Sequence, residues 1–306
     1  MTLERPGTPT FLVTGRNGQV GFALCRSLAA LGRVVAFDRA ACNMLQPDAI
    51  RRAVRACKPD VIVNAAAYTA VDAAETDPDT AFAVNANAVS VLAEEARALG
   101  SLLVHYSTDH VFDGRKTAPY VETDPANPQS VYGKSKLAGE QAIAEVGGAA
   151  LILRTCWVAG AHGGNFVRAI LAAARTQQVV RVVDDQYGSP TSATLVANVT
   201  ARLIETCGLA GGGDSSGLYH LAAKGGISRY AYARAIVDHA LKRGIALRME
   251  CLEPVSSAQW QSAARRPANG ALNCSKLQQA FGVLVPDWED DIGHVLDHIF
   301  AEANHA

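Results

Sequence analysis

Short apolar runs and segments of helical length alternate five times over the first half of the chain. The apolar runs are Thr10–Thr14, Arg33–Phe37, Asp60–Asn64, Ser101–Ser107 and Ala149–Arg154. Strands that are covered on both faces of a sheet are apolar throughout, whereas half-exposed strands alternate apolar and polar residues. The order therefore predicts an α/β fold built on a doubly wound parallel sheet of the Rossmann type. In such folds ligands bind beyond the carboxyl ends of the strands.

A glycine-rich turn joins the first strand to the first helix. Gly15, Gly18 and Gly21 follow the strand with the spacing G-x-x-G-x-x-G, and Asp38 ends the second strand. Glycines at such a turn let backbone N–H groups at the helix start approach a diphosphate, and an acidic residue at the next strand end can bind a ribose. The turn therefore predicts a dinucleotide site. Asp38 favours NADH and the following Arg39 favours NADPH, so we expect use of either cofactor.

The alternation of strands and helices becomes less regular after Arg154. We predict a dinucleotide-binding domain over residues 1–155, completed by a strand near 179–184, and a smaller substrate lobe formed mainly by 156–306. Helices are predicted for the stretches 18–31, 46–57, 130–146, 165–176, 228–242 and 287–300, with a long one starting near Asp77, and the stretch 211–217 is predicted to be a surface loop.

A tyrosine and a lysine lie four residues apart on a predicted helix. Tyr132 and Lys136 therefore share one helix face, and an ammonium near a phenol lowers its pKa and makes it a better proton donor to a carbonyl. Ser107 and Thr108 end the fourth strand, where a hydroxyl can bind the same carbonyl. This combination predicts a site that gives a proton to an alkoxide forming from a carbonyl.

Composition excludes several classes of protein. The chain has 28 Lys and Arg against 29 Asp and Glu, so its overall field would not attract nucleic acid or an anionic membrane. No apolar run is long enough to span a bilayer, and the N-terminal residues lack the apolar core of a secretory signal. The seven cysteines lie far apart in the sequence, which indicates reduced, mostly buried thiols. We expect a cytoplasmic protein.

Longer motifs around these residues resemble the dTDP-4-dehydrorhamnose reductase family of the extended short-chain dehydrogenases/reductases. The matching stretches are Thr14–Gly21, Val61–Asp72, Ser107–Gly114, Val131–Glu140, Arg154–Val158, Asp185–Thr191 and Arg265–Pro267. The resemblance implies NAD(P)H-dependent reduction of the C4 ketone of dTDP-4-dehydro-L-rhamnose to dTDP-L-rhamnose.

The resemblance also implies roles for single residues. Tyr132 would donate the proton, Lys136 would tune it and hold the nicotinamide ribose, and Thr108 would orient the carbonyl. Asp109 and Trp157 would lie against the sugar, and Arg265 and Arg266 would bind the diphosphate. Together with the glycine turn, it leads us to expect the following residues at the cofactor besides Tyr132 and Lys136: Gly15, Asn17, Gly18, Gln19, Val20, Asp38, Arg39, Asn43, Met44, Ala65, Ala66, Ala67 and Tyr68.

The chain departs from the family at one point. Some members bridge their dimers through Mg²⁺ held by glutamates, expected shortly after Gly21 and shortly after Thr191. Here those stretches read Phe22–Leu24 and Ser192–Leu195, without a carboxylate. We therefore predict a monomer or a dimer without a metal bridge, no Mg²⁺ requirement for assembly and no metal site.

Two alternatives share the fold. A nucleotide-sugar epimerase or dehydratase would use the same glycine turn and Tyr–Lys pair but would retain and recycle its NAD. A regulatory subunit of methionine adenosyltransferase would need no turnover. The complete set of Thr108, Tyr132 and Lys136 favours a catalyst.

Overall fold

The computed structural model describes residues 7–208 and 215–303. Its strands are β1 Thr10–Thr14, β2 Arg33–Phe37, β3 Val61–Asn64, β4 Leu102–Thr108, β5 Ala150–Thr155, β6 Val158–Ala159, β7 Val179–Val183, β8 Tyr187–Gly188, β9 Thr191–Ser192, β10 Gly217–His220, β11 Ile227–Ser228 and β12 Cys251–Val255. The predicted surface loop at 211–217 falls mostly outside the described residues.

The helices flank these strands in chain order. They are α1 Gln19–Leu28, α2 Pro47–Cys57, α3 Val71–Ala74, α4 Pro78–Phe82, α5 Ala88–Leu99, α6 Val131–Val146, α7 Phe166–Thr176, α8 Ala193–Cys207, α9 Arg229–Lys242, α10 Ser257–Trp260, α11 Ser275–Phe281 and α12 Trp288–Ala303. No helix in the described ranges is both long enough and apolar enough to cross a bilayer.

A six-stranded parallel sheet forms the centre of the molecule, in the order β10-β5-β4-β3-β1-β2. The inner strands are buried on both faces, as their continuous apolar sequences predicted. Helices α1, α8 and α11 supply one apolar layer and α2, α5 and α6 the other. The doubly wound Rossmann-type fold is thus confirmed, and β1 and β3 meet at its switch point, where ligands bind.

The sixth strand of this sheet differs from the prediction. Residues 179–183 do form a strand, but β7 pairs with β12 outside the main sheet, and β10 takes the sixth place beside β5. Apolar periodicity identifies a strand without identifying its partner, which explains the error. Since α8, β10 and α11 also pack on the main sheet, the second half of the chain contributes to both lobes.

A second apolar core holds the smaller lobe together. It is formed by α7, β7, α9 and α12. The predicted long helix starting near Asp77 is interrupted: α4 and α5 are joined by a π-helical turn over Ala83–Asn87. Such turns widen a helix locally and often lie at functional sites, and this one points Asn85 into the protein interior, where it is 1% exposed.

Candidate active site

The three glycines after β1 are required by close backbone packing. Gly15 has φ +70°, and a Cβ there would lie 2.8 Å from the backbone of Ala65 and Ala66. A Cβ on Gly21 would lie 2.1 Å from the Gly15 carbonyl oxygen, and the Gly18 N–H donates to that oxygen at 2.9 Å. The turn is therefore as tight as the sequence predicted, and it packs against the segment that follows β3.

The start of α1 fits a diphosphate. Gly18 is the N-cap and offers no side chain to the first-turn N–H groups, which are the donors that bind an anion at a helix start. Asn17 is exposed and donates to Asp38, while Val20 packs against the core. The Gln19 carboxamide oxygen instead accepts from the Gly160 N–H at 2.7 Å, so this side chain links the turn to the second half of the chain.

The end of β2 carries the predicted ribose-binding residues. The Asp38 carboxylate accepts hydrogen bonds from the N–H groups of Ala40 and Ala41, and these bonds hold its pKa below the usual range. Arg39 is exposed beside it. The Asn43 side chain accepts from a backbone N–H two residues on, and Met44 is buried in the core.

Residues 65–68, which follow β3, are half-buried and are held by hydrogen bonds at both ends. The Ala66 N–H donates to Thr14 Oγ1 at 3.2 Å. Asn85 accepts from the Tyr68 N–H at 2.9 Å and donates to the Tyr68 carbonyl oxygen and to Ser135 Oγ. Ala67 lies between these two anchors. Asn85 thus ties the segment to α6, and this residue could not be identified from the sequence because no motif marks the π-helical turn.

Thr108, Asp109 and Tyr132 come together beyond the end of β4. Thr108 Oγ1 donates to Asp109 Oδ1 at 3.2 Å and accepts from the His110 N–H. The Tyr132 phenol lies near the Thr108 hydroxyl, which acts to lower its pKa, and its ring packs edge-on against His110 at 5.3 Å. Asp109 is 3% exposed and its Oδ2 has no hydrogen-bond partner in the described residues. The site thus offers a phenol, a hydroxyl and a carboxylate to a ligand.

The pKa of Tyr132 differs from the sequence prediction. Burial raises it to about 12, the Thr108 hydroxyl opposes that rise, and the negative charge of Asp109 adds to it. The expected lowering by Lys136 is absent because its amino group is turned towards the sheet. There Lys136 Nζ donates to the Tyr106 carbonyl oxygen at 2.6 Å and lies 3.3 Å from His105 Nε2.

Lys136 is among the most buried side chains of the protein. It is 2% exposed, and burial lowers its pKa to about 8, opposed by the charge of Glu140. Glu140 in turn forms a buried bidentate ion pair with Arg154, with distances of 2.8 and 2.6 Å. Lys136 therefore sits where a change in its surroundings can change its charge near neutral pH.

Trp157 lies at the site in a strained conformation. Its φ of +42° is in the left-handed region, which is costly for a bulky residue and is found mainly at functional sites. The Arg229 guanidinium lies over the indole, 3.8 Å from the ring centroid, and the Gly188 backbone packs so closely that a Cβ there would be 2.5 Å from the indole. The ring expected to meet a sugar is thus covered in part by an arginine.

The arginines border a cavity of about 630 Å³ in the smaller lobe. It is lined by Phe166, Val182, Trp260, Arg229 and Arg266 among others. Arg266 forms a bidentate pair with Asp72, at 3.1 and 2.6 Å, whereas Arg265 is exposed.

Arg229 was missed from the sequence, because a single arginine at a helix start carries no motif. No carboxylate of the described residues lies within salt-bridge distance of it. Burial lowers its pKa to about 10, so an anionic ligand at this position would be favoured.

The stretch after Gly21, where the family would have a bridging carboxylate, carries one member of an aromatic pair instead. Phe22 is stacked on His162 with ring centroids 4.4 Å apart. In the described ranges, no three side chains of His, Cys, Asp or Glu are grouped closely enough to hold a metal ion.

Comparisons with known proteins agree on one family. The family model described as "RmlD substrate binding domain" matches residues 10–300. The chain is 46% identical over 286 residues to dTDP-4-dehydrorhamnose reductase of Burkholderia thailandensis, covering 92% of this chain and 96% of the relative. It is 41% identical over 293 residues to the enzyme of that name from Escherichia coli K12, covering 94% and 97%.

A solved structure extends the agreement to three dimensions. The crystal structure of dTDP-4-dehydrorhamnose reductase from Bacillus anthracis in complex with NADP has a TM-score of 0.86 at 30% identity, covering 96% of this chain and 99% of that one.

Proposed function

From the chain's membership of the dTDP-4-dehydrorhamnose reductase family, we propose that it reduces the C4 ketone of dTDP-4-dehydro-L-rhamnose to dTDP-L-rhamnose with NADPH or NADH. The observation that carries the proposal is the grouping of Tyr132, Thr108 and Asp109 at the end of β4, beside the switch point of the sheet. Relatives named as reductases do not favour the epimerase, dehydratase or regulatory-subunit alternatives.

The residues present fit a dinucleotide. The glycine turn leaves room that any Cβ would fill, α1 presents its uncapped first-turn N–H groups, and Asp38 and Arg39 stand at the end of β2, where the adenosine ribose would bind. The alanines 65–67 and Tyr68 would line its other side. When bound, the reduced nicotinamide supplies the hydride. Arg39 offers a positive charge to a 2′-phosphate, and a relative binds NADP, so NADPH is the favoured of the two.

Tyr132 is the proton donor in this proposal. Burial keeps the phenol protonated, with a pKa of about 12, so that at neutral pH it holds the proton that an oxyanion formed from the ketone requires. Thr108 lies near the phenol and is itself held by its hydrogen bond to Asp109. The unpaired Asp109 Oδ2 would accept a hydrogen bond from a sugar hydroxyl, and the half-buried Trp157 would lie against the sugar ring.

Arg229 and Arg266 would bind the diphosphate of the substrate. A guanidinium matches phosphate oxygens with two parallel N–H bonds, and both arginines face the cavity of about 630 Å³. Asp72 holds Arg266 in place, whereas Arg229 has no carboxylate partner in the described residues. We place Arg265 at the rim, because its side chain is exposed.

The cellular setting and the assembly also belong to the proposal. All seven cysteines are free, with three of them buried and Cys251 exposed, which suits the reducing cytoplasm. We propose a monomer or a dimer without a metal bridge, since Phe22 and Leu195 stand in the stretches where the bridging carboxylates were expected. Size-exclusion chromatography with and without EDTA tests this, and a dimer that EDTA dissociates would contradict it.

The test of function is oxidation of NADPH or NADH with dTDP-4-dehydro-L-rhamnose, run against other 4-keto sugar nucleotides. Tyr132→Phe should lower kcat by about 10²–10⁴-fold, the contribution of a positioned proton donor, and leave NADPH affinity unchanged. Tyr230→Phe, on α9, is the control. An epimerase or dehydratase would convert the sugar without net NADPH oxidation, and a regulatory subunit would show no turnover.

The arginine assignment has a separate test. Arg229→Met should raise the KM for the sugar nucleotide by about 10-fold or more, since a hydrogen bond to a charged group contributes about 1.5–3 kcal/mol, with little change for NADPH. Arg234→Met, on the exposed face of the same helix, should leave both values unchanged. Equal KM values for the Arg229 variant and wild type would remove Arg229 from the substrate site.

A further inference from the structure

A chain of buried polar side chains connects Lys136 to the glycine turn. Lys136 Nζ lies 3.3 Å from His105 Nε2, and His105 Nδ1 lies 3.0 Å from the Asn64 side-chain nitrogen. Asn64 Oδ1 accepts from Thr14 Oγ1 at 2.7 Å. The four side chains are at most 2% exposed, so water does not compete for these bonds.

The protonation state of His105 follows from its surroundings. It is fully buried beside the amino group of Lys136, and burial first, then the positive charge of that group in its protonated form, hold the pKa of His105 well below its ordinary value. The ring is therefore neutral, with one nitrogen that donates and one that accepts. Because both ring nitrogens have a polar neighbour, a change at one side of the ring requires a change at the other.

Two consistent arrangements of the chain exist. In the first, which the orientation of the Asn64 amide matches, the Asn64 nitrogen donates to His105 Nδ1, so Nε2 carries the proton and faces Lys136. Since an ammonium only donates, this arrangement requires Lys136 as a neutral amine that accepts from Nε2. In the other, the Asn64 amide is turned, Nδ1–H donates to its oxygen, and Nε2 accepts from the Lys136 ammonium.

We propose that His105 is a positioning residue for the reduction, whose tautomer follows the charge of Lys136 and transmits it through Asn64 to Thr14. The inference rests on the proposed function and on the role that the resemblance implies for Lys136, which is to hold the nicotinamide ribose and which we assign to its ammonium form.

The far end of the chain lies in the dinucleotide site. Thr14 is the last residue of β1, directly before Gly15, and it also accepts from the Ala66 N–H. Thr14 donates to Asn64 in the amine arrangement and accepts from it in the ammonium arrangement. Protonation of Lys136 therefore changes the hydrogen bonding next to the turn. By reciprocity, protonation of Lys136 changes the free energy of dinucleotide binding by the same amount as dinucleotide binding changes the free energy of protonating Lys136. The pKa of Lys136, about 8, gives both forms appreciable populations near neutral pH.

Other titratable groups near Lys136 lie on α6 and on the elements packed against it. On α6 itself, Glu140 is paired with Arg154 and the Tyr132 phenol lies near the Thr108 hydroxyl. From the turn after β4, Asp109 and His110 face Tyr132. Glu75, after α3, accepts from the backbone at the start of α6, and Glu95 of α5 is paired with Arg55. None of these groups lies within hydrogen-bond or salt-bridge distance of Lys136 Nζ in the described residues, whereas His105 Nε2 does, at 3.3 Å.

The first experiment needs no turnover. The full-length protein labelled with ¹⁵N is followed by NMR of the histidine side chains from about pH 6.5 to about pH 9.5, a range that brackets the lysine transition. His105 signals are assigned by their loss in His105→Gln. We expect Nδ1 protonated at low pH and Nε2 protonated at high pH. A single tautomer throughout would overturn the proposal, whatever reaction the protein catalyses.

The second experiment is the pH profile of kcat/KM. His105→Leu removes an acceptor of the ammonium, so the pKa of Lys136 falls and the alkaline limb should move down by about one pH unit, a tenfold loss on that side. His105→Gln keeps an acceptor and should stay within about twofold of wild type. Thr200→Val, a buried polar change on α8, is the control. An unmoved alkaline limb in a leucine variant that binds NADPH normally would refute the role. Should that variant not fold, the NMR titration of the wild type decides.

Discussion

Alanine at Gly15 should damage the cofactor site more than the same change at an equivalent backbone conformation elsewhere. Gly15 and Gly100 have nearly identical φ values, +70° and +67°. A Cβ on Gly100 would meet nothing within 4 Å, whereas one on Gly15 would lie 2.8 Å from three backbone atoms of Ala65 and Ala66. The pair therefore separates the cost of the left-handed conformation from the cost of lost space.

The magnitudes follow from these two terms. A residue with a Cβ in the left-handed region costs about 1–2 kcal/mol, and this is the whole effect expected for Gly100→Ala. Gly15→Ala adds a backbone collision, and overpacking costs about 1–3 kcal/mol more. We expect a fall in the free energy of unfolding of about 2–5 kcal/mol for Gly15→Ala. Its NADPH Kd should rise at least tenfold, which corresponds to about 1.4 kcal/mol, because the turn and the alanine segment must move apart.

Two measurements check the comparison. Urea unfolding gives the stability of both variants, and fluorescence titration with NADPH gives their Kd values. Gly100→Ala should bind NADPH like the wild type despite its lower stability. The reasoning is refuted if Gly15→Ala binds NADPH with wild-type affinity, or if both variants weaken binding equally.

Two further predictions concern stability. Glu140→Gln should lower the free energy of unfolding by about 3–5 kcal/mol, because it leaves the buried Arg154 guanidinium without its charge partner; Glu94→Gln, in an exposed pair with Arg51, should cost less than about 1 kcal/mol in the same urea titration. His220 is fully buried and its pKa is lowered to about 3, so below about pH 6.5 the unfolded chain binds a proton that the folded protein does not. Stability should therefore fall as the pH drops from about 6.5 towards 3, by up to about 1.4 kcal/mol per pH unit for this group. His220→Gln should reduce this dependence of stability on pH, whereas His162→Gln, at an exposed position, should leave it unchanged. Calorimetry at pH 7 and pH 5 gives the loss of stability for each protein, and an equal loss in wild type and His220→Gln would contradict the prediction.

The dinucleotide-binding part of the fold could be predicted from the sequence because the patterns that mark its strands and its turn are local. Apolar runs located β1 to β5, and the glycine spacing located the turn that the φ of Gly15 requires. Tyr132 and Lys136 were identified by their spacing on one helix. Their relation to each other was not, since a shared helix face does not fix where a long side chain turns, and Lys136 reaches into the sheet towards Tyr106.

Features that depend on pairing between distant segments could not be predicted. A strand at residues 179–183 was recognised, but its partner β12 lies about seventy residues later and has no distinguishing sequence. His105 is one residue in an apolar run, and its role arises only from what β3 and α6 place beside it. Arg229 likewise becomes a candidate ligand residue only because the fold brings it over Trp157.

The near-zero net charge, together with these local contacts, indicates how an anionic substrate would be held. With no global field to attract it, its charge must be met within the site. Arg266 is already held by Asp72 across 194 positions of sequence, so a substrate would find this guanidinium preorganised, and preorganisation reduces the entropy lost on binding. Arg229 has no such partner among the described residues, and a diphosphate would relieve the cost of burying its charge. The first arginine would thus contribute position and the second would contribute binding energy, which is why the substitution of Arg229 is expected to appear in KM.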